Sequence, residues 1–231
     1  MPVDFNTGER YKFDFKKLIS PSMVLYHTNE YNKYLNEWIN LLIALDNSSM
    51  DEYNHFVLYC GLDMNKAPEF FQYKQAYVTN EPPYIYNFNI DRIIYNSKES
   101  ETQINYALVS KLVNRIVYNS QIILDGRKVK KEPIILCELY MPKYHYLVID
   151  GNTRLNYWLK HHKIIAEYVI YSPTKQNEFL SSVDWAMYNF INEIHTILQD
   201  YKNDELMQQH IQTSKIYDKL FIEECHRKYE L

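Results

Sequence analysis

The most informative stretch of the sequence is His145-Tyr146-Leu147-Val148-Ile149-Asp150-Gly151-Asn152-Thr153-Arg154-Leu155-Asn156-Tyr157-Trp158. Its continuous apolar run over residues 146–149 predicts a buried strand, because a strand covered on both faces needs no polar alternation. Gly151 then permits the turn by which the backbone leaves the strand and enters a helix beginning near Thr153. The stretch therefore predicts a strand, a tight corner and a helix.

The N-terminus of this helix is a candidate anion site. Its first backbone N–H groups have no partner inside the helix and lie at the positive end of the helix dipole. Arg154 adds a fixed charge with a planar fork of donors, and Asn152 and Thr153 offer further donors. We therefore expect a phosphate group to bind at Gly151, Asn152, Thr153 and Arg154.

The elements around this corner are predicted from hydrophobic spacing. Upstream, residues 106–118 place their apolar side chains on one helical face, and residues 132–139 indicate a strand. Downstream, the helix ends near His162 and residues 164–171 indicate another strand. The apolar face of the upstream helix comprises Leu108, Val109, Leu112, Val113, Ile116 and Val117. The predicted order is helix, strand, short turn, strand, corner, helix and strand.

This order resembles that of the ParB and sulfiredoxin superfamily, whose members share a small α/β core with a Gly-x-x-Arg phosphate loop. The residues that carry the resemblance are Pro133-Ile134-Ile135, Val148-Ile149-Asp150-Gly151-Asn152-Thr153-Arg154-Leu155 and Ala166-Glu167-Tyr168-Val169-Ile170. The resemblance covers residues 84–172, less than half of the chain. It implies an α+β fold with a small mixed sheet. It also implies that Gly151, Asn152, Thr153 and Arg154 bind the phosphates of a nucleotide, with CTP, ATP and ADP as candidates.

Departures from the family narrow the expected function. Sulfiredoxin-like members carry their working cysteine where this chain has Asn152, so we do not expect reduction of an oxidised peroxidase. The arginine motifs and the helix-turn-helix domain of DNA-loading ParB proteins are not recognisable, so a CTP-gated DNA clamp is not expected and DNA binding is left open. Kinases of free serine use the same scaffold with an acidic base, which leaves phosphoryl transfer open.

Composition and charge exclude several classes of protein. With 231 residues and 46% hydrophobic content the chain can bury a sizeable core, and its net charge of −4 gives no overall attraction to DNA or to an anionic membrane. We interpret a basic cluster at Arg127, Lys128, Lys130 and Lys131 as a solvated turn rather than a nucleic-acid contact. Three cysteines without a pairing pattern, together with the lack of a signal sequence or a membrane-spanning stretch, predict a cytoplasmic protein.

The segment before the core, residues 1–83, is predicted to be helical. Apolar side chains recur at helical spacing over residues 31–45. Ser49 and Glu52 match a capping box that would open a second helix, and residues 68–77 indicate a third helix that starts with a proline.

The core is predicted to span residues 84–172 and to begin with a strand at residues 84–89. The preceding Glu81-Pro82-Pro83 stops helix formation, because proline lacks an N–H and restricts the residue before it. Residues 173–231 are predicted to form a helical hairpin, with Phe179 on the apolar face of its first helix. We prefer intramolecular packing of the terminal helices; a homodimer formed through them is the alternative.

Two carboxylates, Asp150 and Glu138, are candidate catalytic residues. Asp150 most simply caps the helix, but the same position suits holding Mg²⁺ or accepting a proton from a substrate hydroxyl. The alternative to an anion contact for Arg154 is a salt bridge to Glu138 or Glu167 across the sheet. Further acidic candidates near the corner are Glu99, Glu101 and Glu132. No Cys or His spacing matches a zinc site, so no metal ligand is predicted.

Three hypotheses for the function follow. The first is a ParB-like nucleotide- or phosphate-binding protein of a plasmid, phage or other mobile element that acts as a regulator or binds a protein partner. The second is a ParB-like enzyme, namely a small-molecule kinase, another phosphotransferase, an NTPase or a nuclease, with Mg²⁺ as a cofactor. The third is an interaction scaffold that has lost its ligand.

Overall fold

A computed structural model describes residues 3–4, 7–19, 28–62, 69–78, 80–120, 131–140, 144–200 and 202–227. The fold is α+β, as predicted, with helices toward both ends of the chain and a mixed sheet. Within these ranges no helix has both the length and the apolar character needed to cross a membrane. The basic cluster that we interpret as a solvated turn lies mostly outside the described ranges, which exclude Arg127, Lys128 and Lys130. Its fourth member, Lys131, is exposed.

The helices and strands are numbered in chain order. The helices are α1 (Asn29–Leu62), α2 (Ile90–Glu99), α3 (Val109–Leu112), α4 (Asn152–Lys160), α5 (Ser182–Gln199), α6 (Asp204–Gln212) and α7 (Lys219–His226). The strands are β1 (Val3–Asp4), β2 (Glu9–Arg10), β3 (Phe70–Gln75), β4 (Tyr84–Asn89), β5 (Asn105–Leu108), β6 (Ile116–Val117), β7 (Ile134–Glu138), β8 (Tyr146–Asp150) and β9 (Ile165–Ile170).

The contacts divide the chain into two units. Unit 1 combines Met1–Asn89 with Lys175–Leu231, and unit 2 is Ile90–Thr174. The strand at residues 84–89, expected to open the core, is therefore part of unit 1, where β4 pairs antiparallel with β3. The N-terminal and C-terminal segments, which we expected as separate extensions, share one unit.

Unit 1 is organised around α1, a single helix of 34 residues. The predicted break at Ser49 is wrong, because the Ser49 hydroxyl donates to the Asp46 carbonyl 2.8 Å away within the continuous helix. The Trp38 ring lies between α5 and α7, with centroid distances of 5.5 Å to Phe190 and 5.7 Å to Phe221. This aromatic cluster fixes three helices to one another.

Two further predictions for unit 1 are corrected. The helix expected at residues 68–77 is wrong where the structure describes it, because residues 70–75 form β3 and hydrogen-bond along the whole of β4; Pro68 lies outside the described residues. Phe179 precedes the first C-terminal helix, which begins at Ser182 behind the N-cap Ser181. The terminal helices pack within unit 1, where α5 contacts α1, α6 and α7.

Unit 2 is built on a five-stranded mixed sheet with the order β5-β9-β7-β8-β6. Strand β7 runs antiparallel to β8 and parallel to β9, and it lies between them at the centre of the sheet. The apolar core on one face comprises Val109, Leu112, Ile116, Ile134, Leu136, Val148, Leu155, Trp158 and Ala166. The predicted strands at 132–139 and 164–171 are confirmed with shorter bounds, and the strand predicted at 146–149 is confirmed and extends to Asp150.

The helix predicted at residues 106–118 is wrong. This segment forms β5, one helical turn as α3, and then β6. Three members of the predicted apolar face, Val109, Leu112 and Ile116, are nonetheless buried in the core, whereas Leu108 is exposed. The hydrophobic spacing thus found the buried residues but not the strand, because β5 is stabilised by antiparallel pairing with the distant β9.

The first turn of α5 carries a buried carboxylate that links it to β4. The side chain of Asp184 accepts a hydrogen bond of 2.9 Å from the Tyr84 hydroxyl and another of 3.1 Å from Asn87 Nδ2. Glu52 of α1 caps the same turn, because its carboxylate accepts from the backbone N–H of Ser182 at 2.9 Å and from its hydroxyl at 2.6 Å.

Burial raises the pKa of Asp184 from its ordinary value of 3.8 to about 7, against the lowering effect of its hydrogen bonds. The nearby Glu52 carboxylate raises the pKa of Asp184 further. Burial likewise raises the pKa of Glu52 itself. The folded protein therefore binds a proton at Asp184 in a pH range where the unfolded chain has already lost it.

We expect this proton to make stability depend on pH. The contribution of Asp184 is complete below pH 3.8 and is lost as the pH rises through about 7. Between pH 6 and pH 8 the wild type should lose roughly 1 kcal/mol of unfolding free energy from this group. Asp184→Asn, whose amide imitates the protonated carboxyl, should lose less over the same range in urea denaturation.

The exposed Asp204 provides the matched control, since Asp204→Asn removes the same charge from the surface of α6. It should retain the wild-type pH dependence. An equal loss of stability between pH 6 and pH 8 in wild type and Asp184→Asn would contradict the assignment.

Candidate functional site

The predicted corner joins β8 to α4 at Gly151. Gly151 has a φ of 102°, in the left-handed region that favours glycine, and α4 begins at the next residue. A Cβ added to Gly151 would lie 2.5 Å from the Ile134 Cγ2 atom of β7. Both the backbone conformation and the close packing on Ile134 therefore require glycine at this position.

The N-terminus of α4 carries no side-chain cap. Gly151 is the N-cap residue and has no side chain to offer, while its carbonyl accepts the first helical hydrogen bond from the Leu155 N–H at 2.9 Å. The N–H groups at the start of α4 thus have no capping side-chain oxygen of the kind that Ser or Asp supplies to other helices. They lie at the positive end of the helix dipole. This is the backbone arrangement that anion-binding helix termini use.

Asn152 has a structural role rather than the predicted side-chain contact with phosphate. Its side chain is buried, and its Oδ1 accepts from the Asn119 N–H at 2.8 Å. Its Nδ2 donates to the Val148 carbonyl at 3.3 Å. Because both ends of the amide are engaged, Asn152 can serve an anion only through its backbone N–H, and Thr153 is the half-buried neighbour that retains a hydroxyl near the helix start.

Arg154 is buried, with 4% of its side chain exposed, and its guanidinium folds back over the corner. Nη2 lies 2.5 Å from Asp150 Oδ2, and Nη1 lies 3.4 Å from Glu132 Oε2. Among the described residues, Nε has no hydrogen-bond partner. A salt bridge was the predicted alternative for Arg154, but its partners are Asp150 and Glu132 rather than Glu138 or Glu167.

The two candidate catalytic carboxylates lie in different places. Asp150 is at the corner and is paired with Arg154. Glu138 lies opposite Tyr146, at the other end of the β7–β8 pair from Asp150, and accepts from the Ser172 hydroxyl at 3.0 Å. The structure therefore does not bring Glu138 to the site, where Glu132 lies instead.

A cleft of about 270 Å³ adjoins the carboxylates that pair with Arg154. Its polar lining includes Asp150, Glu132 and Glu101, with Lys98 as the cation. Its residues come from the second half of α2, the loop before β5, the start of β7, the end of β8 and β9. The remaining ones are Ile94, Ser97, Thr102, Ile104, Pro133, Ile135 and Val169. Sequence reasoning singled out Glu101 and Glu132 but missed Ser97, Lys98 and Thr102, because nothing in the local pattern of α2 indicates that its last turn meets the sheet.

The described residues contain no group of three or more His, Cys, Asp or Glu side chains that could hold a metal ion. The His161 ring lies against Tyr157 at a centroid distance of 4.1 Å, at the C-terminal end of α4. The Cys137 and Cys225 thiols are buried and form no disulfide within the part of the chain that the structure describes. The chemistry available at the corner is therefore that of a guanidinium, two carboxylates and backbone N–H groups.

Comparison with known proteins gives no match to the chain among family models, curated proteins or solved structures.

We expect Gly151→Ala to destabilise the protein by about 2–4 kcal/mol, because it combines a left-handed backbone with a clash against Ile134. Urea denaturation measures the effect. Thr153→Ala, two residues further along, is the control and should cost less than about 1 kcal/mol. Similar stabilities for Gly151→Ala and Thr153→Ala would show that the corner tolerates a side chain.

Proposed function

We propose that the corner formed by Gly151, Thr153 and Arg154 binds the phosphate of a nucleotide or a related phosphate-bearing ligand. The observation that carries this proposal is a buried guanidinium held beside a helix N-terminus that no side chain caps. A guanidinium and helical N–H groups are complementary to phosphate oxygens in both charge and direction. Together they supply more donors than a single carboxylate can satisfy.

Asp150 and Glu132 are the groups with which such a ligand competes. They neutralise Arg154, which otherwise would be a buried unpaired charge. A phosphate can replace these carboxylates only if the Arg154 guanidinium attracts it more strongly than it attracts them. The phosphate must therefore carry a large negative charge. This favours a di- or triphosphate accompanied by a cation over a singly charged anion.

Mg²⁺ fits this scheme as a partner of the ligand. In nucleotide sites it is usually held by one or two carboxylates and by substrate phosphates, where it neutralises phosphate charge. Asp150 and Glu132 are the residues that would hold it here. We therefore expect Mg²⁺ to strengthen binding of a nucleotide more than binding of inorganic phosphate.

The resemblance of three stretches of unit 2, residues 133–135, 148–155 and 166–170, to ParB-like proteins supports a nucleotide as the ligand and a regulatory or partner-binding role as the function. In those proteins the matching loop binds nucleotide phosphates. CTP, ATP and ADP are accordingly the first ligands to test, and a plasmid, phage or other mobile element is the biological setting that the resemblance favours.

Arg154 provides the direct test. Calorimetric titration of the wild type with CTP, ATP, ADP and inorganic phosphate, each with and without Mg²⁺, should show binding of at least one ligand. Arg154→Lys keeps the charge but loses the planar fork, and we expect about a tenfold or greater loss of affinity. Arg115→Gln is the control, because Arg115 lies on the same unit with its guanidinium 5.6 Å from the Tyr146 ring centroid.

Binding by none of the four ligands would overturn the proposal. Equal affinity of the wild type and a folded Arg154→Lys variant would do the same.

Asp150→Asn separates an anion site from a purely structural ion pair. If phosphate competes with the carboxylate for Arg154, removing the negative charge should raise the affinity for inorganic phosphate in the absence of Mg²⁺ by about tenfold. If Arg154 only stabilises the fold, the same variant should lose stability without gaining affinity. Calorimetric titration with inorganic phosphate measures the affinity of Asp150→Asn. Circular dichroism and urea denaturation measure its stability.

A phosphotransferase is the second candidate, favoured by the cleft beside the corner. Asp150 and Glu132 line that cleft together with Glu101, so an acceptor held there would lie beside carboxylates that can take a proton. Release of labelled phosphate from a bound nucleotide, reduced at least about a hundredfold in Glu101→Gln with binding retained, would support an enzyme. Binding without turnover leaves the regulatory role.

A further inference from the structure

The chain passes between the two units at two places, and the segments of unit 1 at these places meet at a buried carboxylate. Strand β4 ends at Asn89, where the chain leaves unit 1, and Lys175 is the residue at which it returns. The segment after the return, residues 175–184, leads into α5 and carries Asp184 in the first turn of that helix. We call β4 and residues 175–184 the connecting segments.

Backbone and aromatic contacts hold the connecting segments side by side. Phe88 and Phe179 form an antiparallel bridge, and their ring centroids are 5.2 Å apart. The Leu180 N–H donates to the Asn87 carbonyl at 2.9 Å. All four side chains are buried. The two places where the chain crosses between the units are therefore tied to each other within unit 1.

The Asp184 carboxylate joins the same two segments a second time. It accepts from the Tyr84 hydroxyl at 2.9 Å and from Asn87 Nδ2 at 3.1 Å, and both donors belong to β4. The backbone N–H of Asp184 donates to the hydroxyl of the N-cap Ser181 at 3.3 Å. Asp184 is only 1% exposed, so the carboxylate depends on these protein donors instead of water.

The surroundings of Asp184 supply no positive charge. Among the described residues, no Lys, Arg or His side chain forms an ion pair with it. A negative charge on Asp184 therefore has hydrogen-bond donors but no counter-ion, and the Glu52 carboxylate repels it. The ionisable groups that face Asp184 are Glu52 of α1, Tyr84 and Tyr86 of β4, and Tyr11 just after β2.

The turn that precedes α5 contributes a further acid instead of a cation. It holds the buried Glu178, whose carboxylate accepts from the Lys175 N–H at 2.8 Å. Each described element that packs against the first turn of α5 thus brings an acid, a tyrosine or a neutral amide to it. An ionised Asp184 is consequently unfavourable as long as the connecting segments stay closed around it.

We propose that Asp184 is a proton-dependent latch that holds the two connecting segments together while it is neutral and releases them when it ionises. The neutral carboxyl keeps its contacts, because the Tyr84 hydroxyl can accept as well as donate and the second oxygen still accepts from Asn87. The ionised carboxylate is better solvated by water, which it reaches only when the segments separate. The latch lies in unit 1 and does not depend on the proposed phosphate site.

The pH range of the latch follows from the burial of Asp184. Burial raises the pKa of the closed carboxyl to about 7, whereas a released and solvated carboxyl has its ordinary pKa of 3.8. Because the pKa is raised, the latch is most stable below pH 3.8 and weakens as the pH rises through about 7. From pH 6 to pH 8 the equilibrium constant for opening should rise about tenfold.

Hydrogen–deuterium exchange of the whole protein at pH 6 and pH 8, followed by mass spectrometry, tests the latch. After correction for the intrinsic pH dependence of amide exchange, peptides from residues 84–89 and 175–184 should exchange about tenfold faster at pH 8. The second half of α5 is the internal control, because Phe190 packs on Trp38 of α1 away from the latch. Its corrected exchange should change much less.

Asp184→Asn should abolish the acceleration, because its amide does not ionise. Asp204→Asn on the surface of α6 is the matched control and should retain it. Glu52→Gln gives an independent test should Asp184→Asn fail to fold. It removes a charge that raises the pKa of Asp184, so the acceleration should begin at a lower pH than in the wild type.

Three results would overturn the latch. The first is corrected exchange of the connecting segments that is the same at pH 6 and pH 8. The second is an equal acceleration throughout unit 1, which indicates global unfolding instead of a local opening. The third is a pH profile that stays as in the wild type in a folded Asp184→Asn variant or in Glu52→Gln.

Discussion

The left-handed backbone at Gly151 is the constraint on which the candidate site depends. It turns the chain from β8 into α4 within one residue, and it brings the Arg154 guanidinium back over the strand ends. Any side chain at this position would meet Ile134 on the neighbouring strand. The left-handed backbone at Gly151 therefore determines where Arg154 lies and with which groups it pairs. Glycine adopts this conformation at little cost.

The site also shows how a buried charge is kept in place. Arg154 is nearly inaccessible, and it is neutralised by one carboxylate from its own corner and one from the segment before β7. Burial of a cation without partners is strongly unfavourable, whereas pairing with two carboxylates offsets the cost of burying Arg154. Both carboxylates are partly exposed, so solvent reaches this ion pair. The same geometry serves as a structural ion pair, and it is the place where we propose that a phosphate substitutes for the carboxylates.

Local patterns predicted the centre of unit 2 well, because its strands and corner are encoded within a few residues. The apolar run before Asp150, followed by Gly151, was sufficient to predict β8, the turn and α4. The helices predicted over residues 70–75 and 105–108 are strands, because the hydrophobic spacing of both segments also suits a helix. Residues 105–108 in addition pair with a strand far away in the chain, as Asn105 does with Tyr168. Glu132 as a partner of Arg154 could not be predicted for the same reason: its approach depends on how β7 is placed in the sheet.

The arrangement of unit 1 along the chain has a consequence for synthesis. Its N-terminal helix α1 packs on α5, and Glu52 caps a turn 130 residues later in the sequence. Unit 2 is continuous, so a ribosome releases all of its strands before α5 emerges. The face of α1 that packs on α5 is consequently exposed while the intervening unit is synthesised, and a nascent chain stalled in this interval presents that face to chaperones or to aggregation.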